Sequence, residues 1–265
     1  MKYTAKSMPK ANKKLGQHFL TDGAMIARIV DAINPQPDEC LLEIGPGLGA
    51  ITLPVLERAR HLTAIELDRR VIPLLEKKAQ ASGQLNIIEQ DVLAVEYTEL
   101  LGNHSWRVFG NLPYNISTPI LFTLSRQTAI AEMVFMLQKE VVDRMVALPG
   151  EKDYGRLSVM LQYRHQVFSL FDVPPECFSP PPKVMSAMVG MTRLSQPRWQ
   201  VTDDNLFAAV VKQAFAMRRK TLRNTLKPLI DSESLAALGV DGSLRAEVIG
   251  GEVFARIANF LAGEK

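Results

Sequence analysis

The chain has 265 residues, 47% apolar and 22% charged, with 31 Lys and Arg against 28 Asp and Glu for a net charge of +3. So high an apolar fraction at so low a net charge excludes a disordered chain. Two cysteines without CxxC spacing argue against a disulfide scaffold, and no run approaches the 18 apolar residues of a membrane span. The first 21 residues hold five lysines, no acid and no apolar stretch. This argues against a secretory leader and, with the cysteine usage, fits a cytoplasmic protein with no membrane partner.

The elements follow in chain order. Asp22 caps a helix over 22–34, with Ile26, Ile29, Val30 and Ile33 on one face and Pro35 beyond its end. A short apolar strand, 40–44, runs into Gly45-Pro46-Gly47-Leu48-Gly49, and helical spacing resumes over 50–59. A second strand, 61–65, closes on Glu66-Leu67-Asp68. A helix over 69–81 leads to a third strand, 85–88, ending near Asp91. A fourth strand, 106–110, stops at Asn111-Leu112-Pro113-Tyr114, and a helix starts near Pro119. A fifth strand is expected at 133–137, helices at 141–147 and 157–163, and later strands at 166–171 and 184–191. Strand–helix alternation to residue 140 predicts a mostly parallel α/β sheet with ligands at the carboxyl strand ends, and the later strands predict an antiparallel edge. From Asp203 the pattern is helical throughout, with segments at 206–217, 221–230, 245–248 and 252–261 and a turn at 239–242. The expected division is therefore a Rossmann-like domain over 1–199, preceded by a basic arm over 1–21, and a small all-helical domain over 200–265.

The glycine loop carries the first chemical signal. Glycines after a strand let a ligand approach the backbone. The spacing is not that of a pyrophosphate fingerprint, no Lys-Ser/Thr pair follows as in a P-loop, and Glu43 precedes the loop. A carboxylate there opposes a diphosphate and suits a cationic or amine-bearing ligand. Glu66, ending the next strand, is placed to accept ribose hydroxyls, and Asp91 to accept from an exocyclic adenine amine. Asp68 reads as a helix cap. A nucleoside lying across the strand ends without a diphosphate points to S-adenosylmethionine in preference to NAD.

Asn111-Leu112-Pro113-Tyr114 suits methylation of an exocyclic amine. The Asn111 side-chain oxygen and the Leu112 carbonyl can each accept one N–H, which favours a pyramidal, nucleophilic nitrogen in line with the methyl donor. Tyr114 supplies a ring on which the base can stack. Phe178, before Ser179-Pro180-Pro181-Pro182-Lys183, is either the opposite stacking plate or core packing. Three acid-free basic stretches stand out: 1–21, 178–198 with Lys183, and 212–227 with Arg218, Arg219 and Lys220. They are either solvated faces or, if they converge, a polyanion footprint. The four histidines and two cysteines show no metal-ligand spacing, so no metal is expected.

The chain resembles the bacterial small-subunit ribosomal RNA adenine dimethyltransferases. The likeness runs through Lys14-Leu-Gly-Gln-His-Phe-Leu20, Glu43 to Gly49, Glu66-Leu-Asp68, Gln90-Asp91, Gly110-Asn-Leu-Pro-Tyr-Asn-Ile-Ser-Thr-Pro119, Met136-Leu-Gln-Lys-Glu-Val-Val142, Tyr154-Gly-Arg-Leu-Ser-Val159, Phe178-Ser-Pro-Pro-Pro-Lys-Val184 and Phe215-Ala-Met-Arg-Arg-Lys-Thr-Leu222. It implies transfer of four methyls from S-adenosylmethionine, leaving S-adenosylhomocysteine, to two adjacent adenosines in the 3′-terminal helix loop of 16S rRNA. The substrate it implies is an immature 30S subunit, met by a monomer acting as an assembly checkpoint. The resemblance places cofactor contacts on His18, Leu20, Gly45, Gly47, Glu66, Asp91 and Asn111, and the target base between Tyr114 and Phe178. It places RNA contacts on Lys13, Lys14, Lys183, Arg218, Arg219 and Lys220. The family often has Asn where this chain has His18. The competing readings are a 23S rRNA adenine methyltransferase of the antibiotic-resistance type, a non-catalytic RNA-binding assembly factor, and a DNA adenine methyltransferase.

Overall fold

The computed structural model describes residues 18–263. The chain forms two compact units. One runs to Val142 and resumes over Phe168–Thr192; the other takes Asp143–Val167 and the chain from Arg193 onward. The boundary thus differs from the single one expected near residue 200. Residues 143–163 leave the sheet because Ala147, Tyr154, Val159 and Tyr163 bury their side chains in one cluster with Phe207, Val210, Leu222 and Phe254.

The first unit is built on a seven-stranded sheet. Its strands are β2 (Cys40–Ile44), β3 (His61–Glu66), β4 (Gln84–Glu89), β5 (Trp106–Asn111), β6 (Ile130–Gln138), β7 (His165–Val173) and β9 (Ser186–Arg193), in the spatial order β4-β3-β2-β5-β6-β9-β7. The first five are parallel to their neighbours, and β9 lies antiparallel on β6 with Met136 opposite Met188. Apolar strand residues such as Leu42, Ile44, Phe109 and Phe135 are fully buried, as expected of a sheet covered on both faces. The order reverses between β2 and β5, which are neighbours although two βα units separate them in sequence. This switch point opens a crevice at the carboxyl ends of the strands. Gly110 permits the closeness there: a Cβ at this position would stand 2.4 Å from the Ile44 carbonyl oxygen.

The helices of this unit include α1 (Gly23–Ile33), α2 (Thr52–Ala59), α3 (Ile72–Ala79), α4 (Tyr97–Leu101), α5 (Ser117–Ser125) and the start of α6 (Lys139–Val146). Asp22 caps α1 as expected, with Oδ1 accepting from the Met25 N–H at 2.7 Å. The helix ends on Asn34 in the left-handed conformation, one residue before Pro35. α2 and α3 begin later than the apolar spacing predicts, because residues 45–51 and 67–71 form turns at the strand ends. A separate two-stranded ribbon joins β1 (Phe19–Leu20) to β8 (Phe178–Ser179) with Leu20 opposite Phe178. The sequence gives no periodicity for strands this short.

The second unit is helical: α7 (Arg156–Gln162), α8 (Asp204–Ala214), α9 (Leu222–Thr225), α10 (Ser232–Ala237) and α11 (Gly251–Leu261). The helix expected over 221–230 is reduced to α9, with Pro228 three residues beyond it. α10, starting on its Asp231 cap, is an element the periodicity did not predict.

Candidate active site

A cavity of about 930 Å³ occupies the crevice above β2, β3 and β5, within the range of small-ligand pockets. Its floor is the glycine loop. Gly45, Gly47 and Gly49 all have positive φ, and at Gly49 a Cβ would also lie 2.5 Å from Leu75 Cδ1. The loop is tied to the sheet by Gly45 N–H donating to the Ile65 carbonyl at 2.9 Å.

Three acids face this space from successive strands. Glu66 is buried, and its carboxylate accepts from the N–H groups of Gly47 at 3.0 Å and of Leu67 and Asp68 at 2.8 Å each. Burial raises its pKa against the pull of those bonds. Oε2, with one donor, keeps acceptor capacity for a ligand hydroxyl. Asp91 uses Oδ1 to cap the turn after β4, accepting from Leu93 N–H at 2.9 Å. Beside each of these acids stands an exposed leucine, Leu67 and Leu93, and both line the cavity. Glu43 is 2% exposed, and its Oε2 has no hydrogen-bond partner. Burial pushes its pKa to about 8; the nearby Thr52 hydroxyl lowers it and Glu66 raises it, but no bond of normal geometry joins Glu43 to Thr52. An orphaned carboxyl oxygen in a cavity of acids, beside a loop without Cβ atoms, fits a ligand with cationic and hydroxyl-bearing parts. S-adenosylmethionine has both.

Asn111, Leu112, Pro113 and Tyr114 form the facing wall. Among the described residues the Asn111 side chain makes no hydrogen bond, so its oxygen is free to accept. Tyr114 is oriented by a 2.7 Å hydrogen bond between its hydroxyl and that of buried Ser186. The His18 ring stacks on Tyr114 with centroids 6.0 Å apart, and His18 Nδ1 donates to the Pro180 carbonyl at 2.8 Å. His18, Leu20, Ser179 and Pro180 complete the lining from the β1–β8 ribbon.

The predicted residues His18, Leu20, Gly45, Gly47, Glu66, Asp91, Asn111, Leu112 and Tyr114 therefore meet in one place. Phe178 does not join them. It is 4% exposed and packs with Leu20, Ile29 and Met188 in the core beneath the ribbon, which is the packing alternative of its two sequence readings. Asp68 caps no helix. It accepts from Arg70 N–H at 3.1 Å and pairs with the Arg70 guanidinium at 2.6 Å. Lys183 is exposed on the first unit, followed by exposed Val184 and Met185. Arg219 and Lys220 are exposed on the second unit. Arg218, between α8 and α9, is engaged: Nε donates to Glu247 at 2.8 Å and Nη2 to the Lys152 carbonyl at 2.7 Å. Lys13 and Lys14 lie outside the described residues. Leu67, Leu93, Lys78 and Ser186 are site residues that sequence reasoning missed. Only the leucines carried a signal, an apolar residue just past a strand-end acid. Among the described residues no group of three or more His, Cys, Asp or Glu side chains could hold a metal ion, and no helix is long and apolar enough to cross a membrane.

A sheet that reverses at a glycine loop, with successive strand-end acids set for a nucleoside, belongs to the S-adenosylmethionine-dependent methyltransferases, and this chain is one of those enzymes. The family model of the ribosomal RNA adenine dimethylases matches residues 8–263. The ribosomal RNA small subunit methyltransferase A of Dichelobacter nodosus is 51% identical over 253 residues, covering 95% of this chain and 96% of that one. Among solved structures, a dimethyladenosine transferase from Plasmodium falciparum superposes with a TM-score of 0.80 at 23% identity, over 93% of this chain and 98% of its own. The 23S rRNA methyltransferase ErmE superposes with a TM-score of 0.70 at 25% identity, over 92% and 99%. The chain belongs to the ribosomal RNA adenine dimethylase family.

Proposed function

We propose that the enzyme transfers four methyl groups to the N6 amines of two adjacent adenosines in the 3′-terminal helix loop of 16S rRNA, acting as a monomer on an immature 30S subunit in the cytoplasm. The observation that carries the proposal is the shared cavity. Asn111-Leu112-Pro113-Tyr114 opens onto the same space as the glycine loop, Glu66 and Asp91, so an amine held by the first group lies beside a methyl donor held by the second. S-adenosylmethionine supplies an electrophilic methyl on a sulfonium.

The residues of this chain do the rest. The Asn111 side-chain oxygen and the Leu112 carbonyl accept the two N–H bonds of the adenine amine and turn its lone pair toward the donor. Orientation of this kind is worth up to about 7–11 kcal/mol. Tyr114, held by Ser186, gives the base one stacking face. No strong base is required before attack, because the proton leaves after the methyl has been added. Glu66 accepts from a ribose hydroxyl and Asp91 from the cofactor's adenine amine, while Glu43, neutral below about pH 8, lies buried beneath the loop. Lys183, Arg219 and Lys220 meet RNA phosphates, while Arg218 shapes the turn that presents Arg219 and Lys220. The relative named for the small subunit, at 51% identity over almost the whole chain, supports 16S over 23S rRNA as substrate.

The test uses purified immature small and large subunits with labelled cofactor. Wild type is expected to label the small subunit alone, at two adjacent adenosines. Asn111→Ala should lose about 10²-fold or more in rate while still binding the particle. Label in the large subunit, or full activity in Asn111→Ala, would sink the proposal.

A further inference from the structure

The glycine loop is braced from outside the sheet by α3. Leu75 of that helix lies against Gly49, close enough that a Cβ would meet it at 2.5 Å. Three residues on, and so on the same helix face, Lys78 sends its Nζ to the Leu48 carbonyl at 2.9 Å. No backbone N–H of the described residues reaches that carbonyl. Among the described residues Lys78 is also the one lysine or arginine in the cavity wall, where the acids are Glu43, Glu66 and Asp91. Its hydrogen bond goes to the loop, and among the described residues it forms no ion pair with any of the three. The neighbouring loop residue, Gly47, donates to Glu66 Oε2 at 3.0 Å. A continuous path of contacts therefore runs from the Lys78 ammonium through Leu48 and Gly47 to the carboxylate that faces the cofactor.

We propose that Lys78 is a positioning residue for the cofactor loop: by holding the Leu48 carbonyl it fixes the register of Gly47 under Glu66, and it thereby sets the affinity for S-adenosylmethionine without entering the transfer step. The amine-holding wall, Asn111 to Tyr114, hangs from β5 and β6 and has no bond to Lys78, so loss of the lysine should leave orientation of the amine intact. A charge-assisted hydrogen bond is the stronger kind. An arginine can reproduce both the charge and the donor, whereas methionine keeps the apolar stem and loses both.

The rival role for a cation in this wall is direct pairing with the cofactor's carboxylate, and two ligands separate the roles. S-adenosylhomocysteine has the amino-acid portion, and 5′-methylthioadenosine lacks it. In the full-length protein, Lys78→Met is expected to weaken both ligands by a similar factor, about 10- to 100-fold, the scale of one charge-assisted hydrogen bond. KM for the methyl donor should rise with them, kcat at saturation should stay within about twofold, and Lys78→Arg should restore most of the affinity. Hydrogen exchange of the free variant should be faster across the glycine loop and unchanged across Asn111 to Tyr114. Weakening of S-adenosylhomocysteine alone, wild-type exchange in the loop, or a fall in kcat at unchanged KM would each overturn the assignment. The binding arm needs no RNA, so its outcome is independent of the substrate proposed above.

Discussion

Burial of the Glu43 carboxyl raises its pKa to about 8 from an ordinary 4.5, so the folded protein holds a proton there that the unfolded chain releases. The stability conferred by that proton is complete below about pH 4.5 and is lost as pH rises through 8, with a slope of up to ~1.4 kcal/mol per pH unit between those limits. Glu43→Gln is expected to abolish the slope, measured by urea unfolding at several pH values across that window. A variant that keeps the wild-type slope would show that another group is titrating. Glu66, Asp91 and Asn111 could be placed in the cavity from the sequence because each ends a strand or follows it by two residues, and strand ends are where a parallel sheet places its ligands. Ser186 and Lys78 could not. Their partners, Tyr114 and Leu48, lie 72 and 30 residues away in the chain, and no spacing rule spans such separations.

At the scale of elements, the β2–β5 pair decides whether the crevice exists. Ile44 and Gly110 are direct register partners, and the Ile44 carbonyl occupies the place of any side chain at 110. Gly110→Ala is expected to cost about 1–3 kcal/mol or more through backbone displacement, seen as a lowered Tm together with weakened S-adenosylhomocysteine binding. Unchanged Tm and affinity would mean the pair can slide apart freely. Opposite the cavity, at the start of β5, Arg107 pairs with Glu39 and Glu132 at 2.9 Å each and so joins β5 to β2 and β6. The parallel core was legible because apolar runs followed by glycine, acid or proline recur at βα spacing. The helix starts lie later than expected because Ala50-Ile51 and Arg69-Arg70-Val71 carry no residue that breaks a helix, while turn bonds such as Val71 N–H to the Asp68 carbonyl and Gly49 N–H to the Pro46 carbonyl hold the strand ends out of it. β1 and β8 are two residues each, too short for any period to register.

Over the whole molecule, a net charge of +3 averages two opposed distributions. Glu43, Glu66 and Asp91 line the cavity, whereas the stretches 178–198 and 212–227 hold lysines and arginines and no acid of their own. Arg218, Arg219 and Lys220 are adjacent in sequence and differ in employment, since only Arg218 is tied to Glu247 and the Lys152 carbonyl. Replacing Arg219 and Lys220 together by alanine should lower RNA affinity and reduce the slope of log K against log salt by about 2, measured by filter binding over a salt series. Arg218→Ala should instead loosen the turn and leave that slope nearer to wild type; equal effects from both variants would refute the distinction. The sequence pattern divides the chain once, near residue 200, while the structure groups Asp143–Val167 with the chain from Arg193 onward. Residues 143–163 are helical by period, and period does not say which core a helix will join.

The β1–β8 ribbon has a consequence for synthesis. It roofs the cavity with Leu20 and Ser179, residues about 160 positions apart, and the anchor of Tyr114 arrives only at Ser186. A nascent chain that has emerged as far as Gln138 already possesses the glycine loop, all three acids and Asn111. It has neither the roof nor the fixed ring. Domains fold as the ribosome delivers them, N-terminal part first, so the last pieces of the site to be translated are those that enclose it. A chain interrupted before Ser179 would therefore hold the glycine loop and the three acids without the β8 lining of the cavity or the Ser186 bond that fixes the Tyr114 ring.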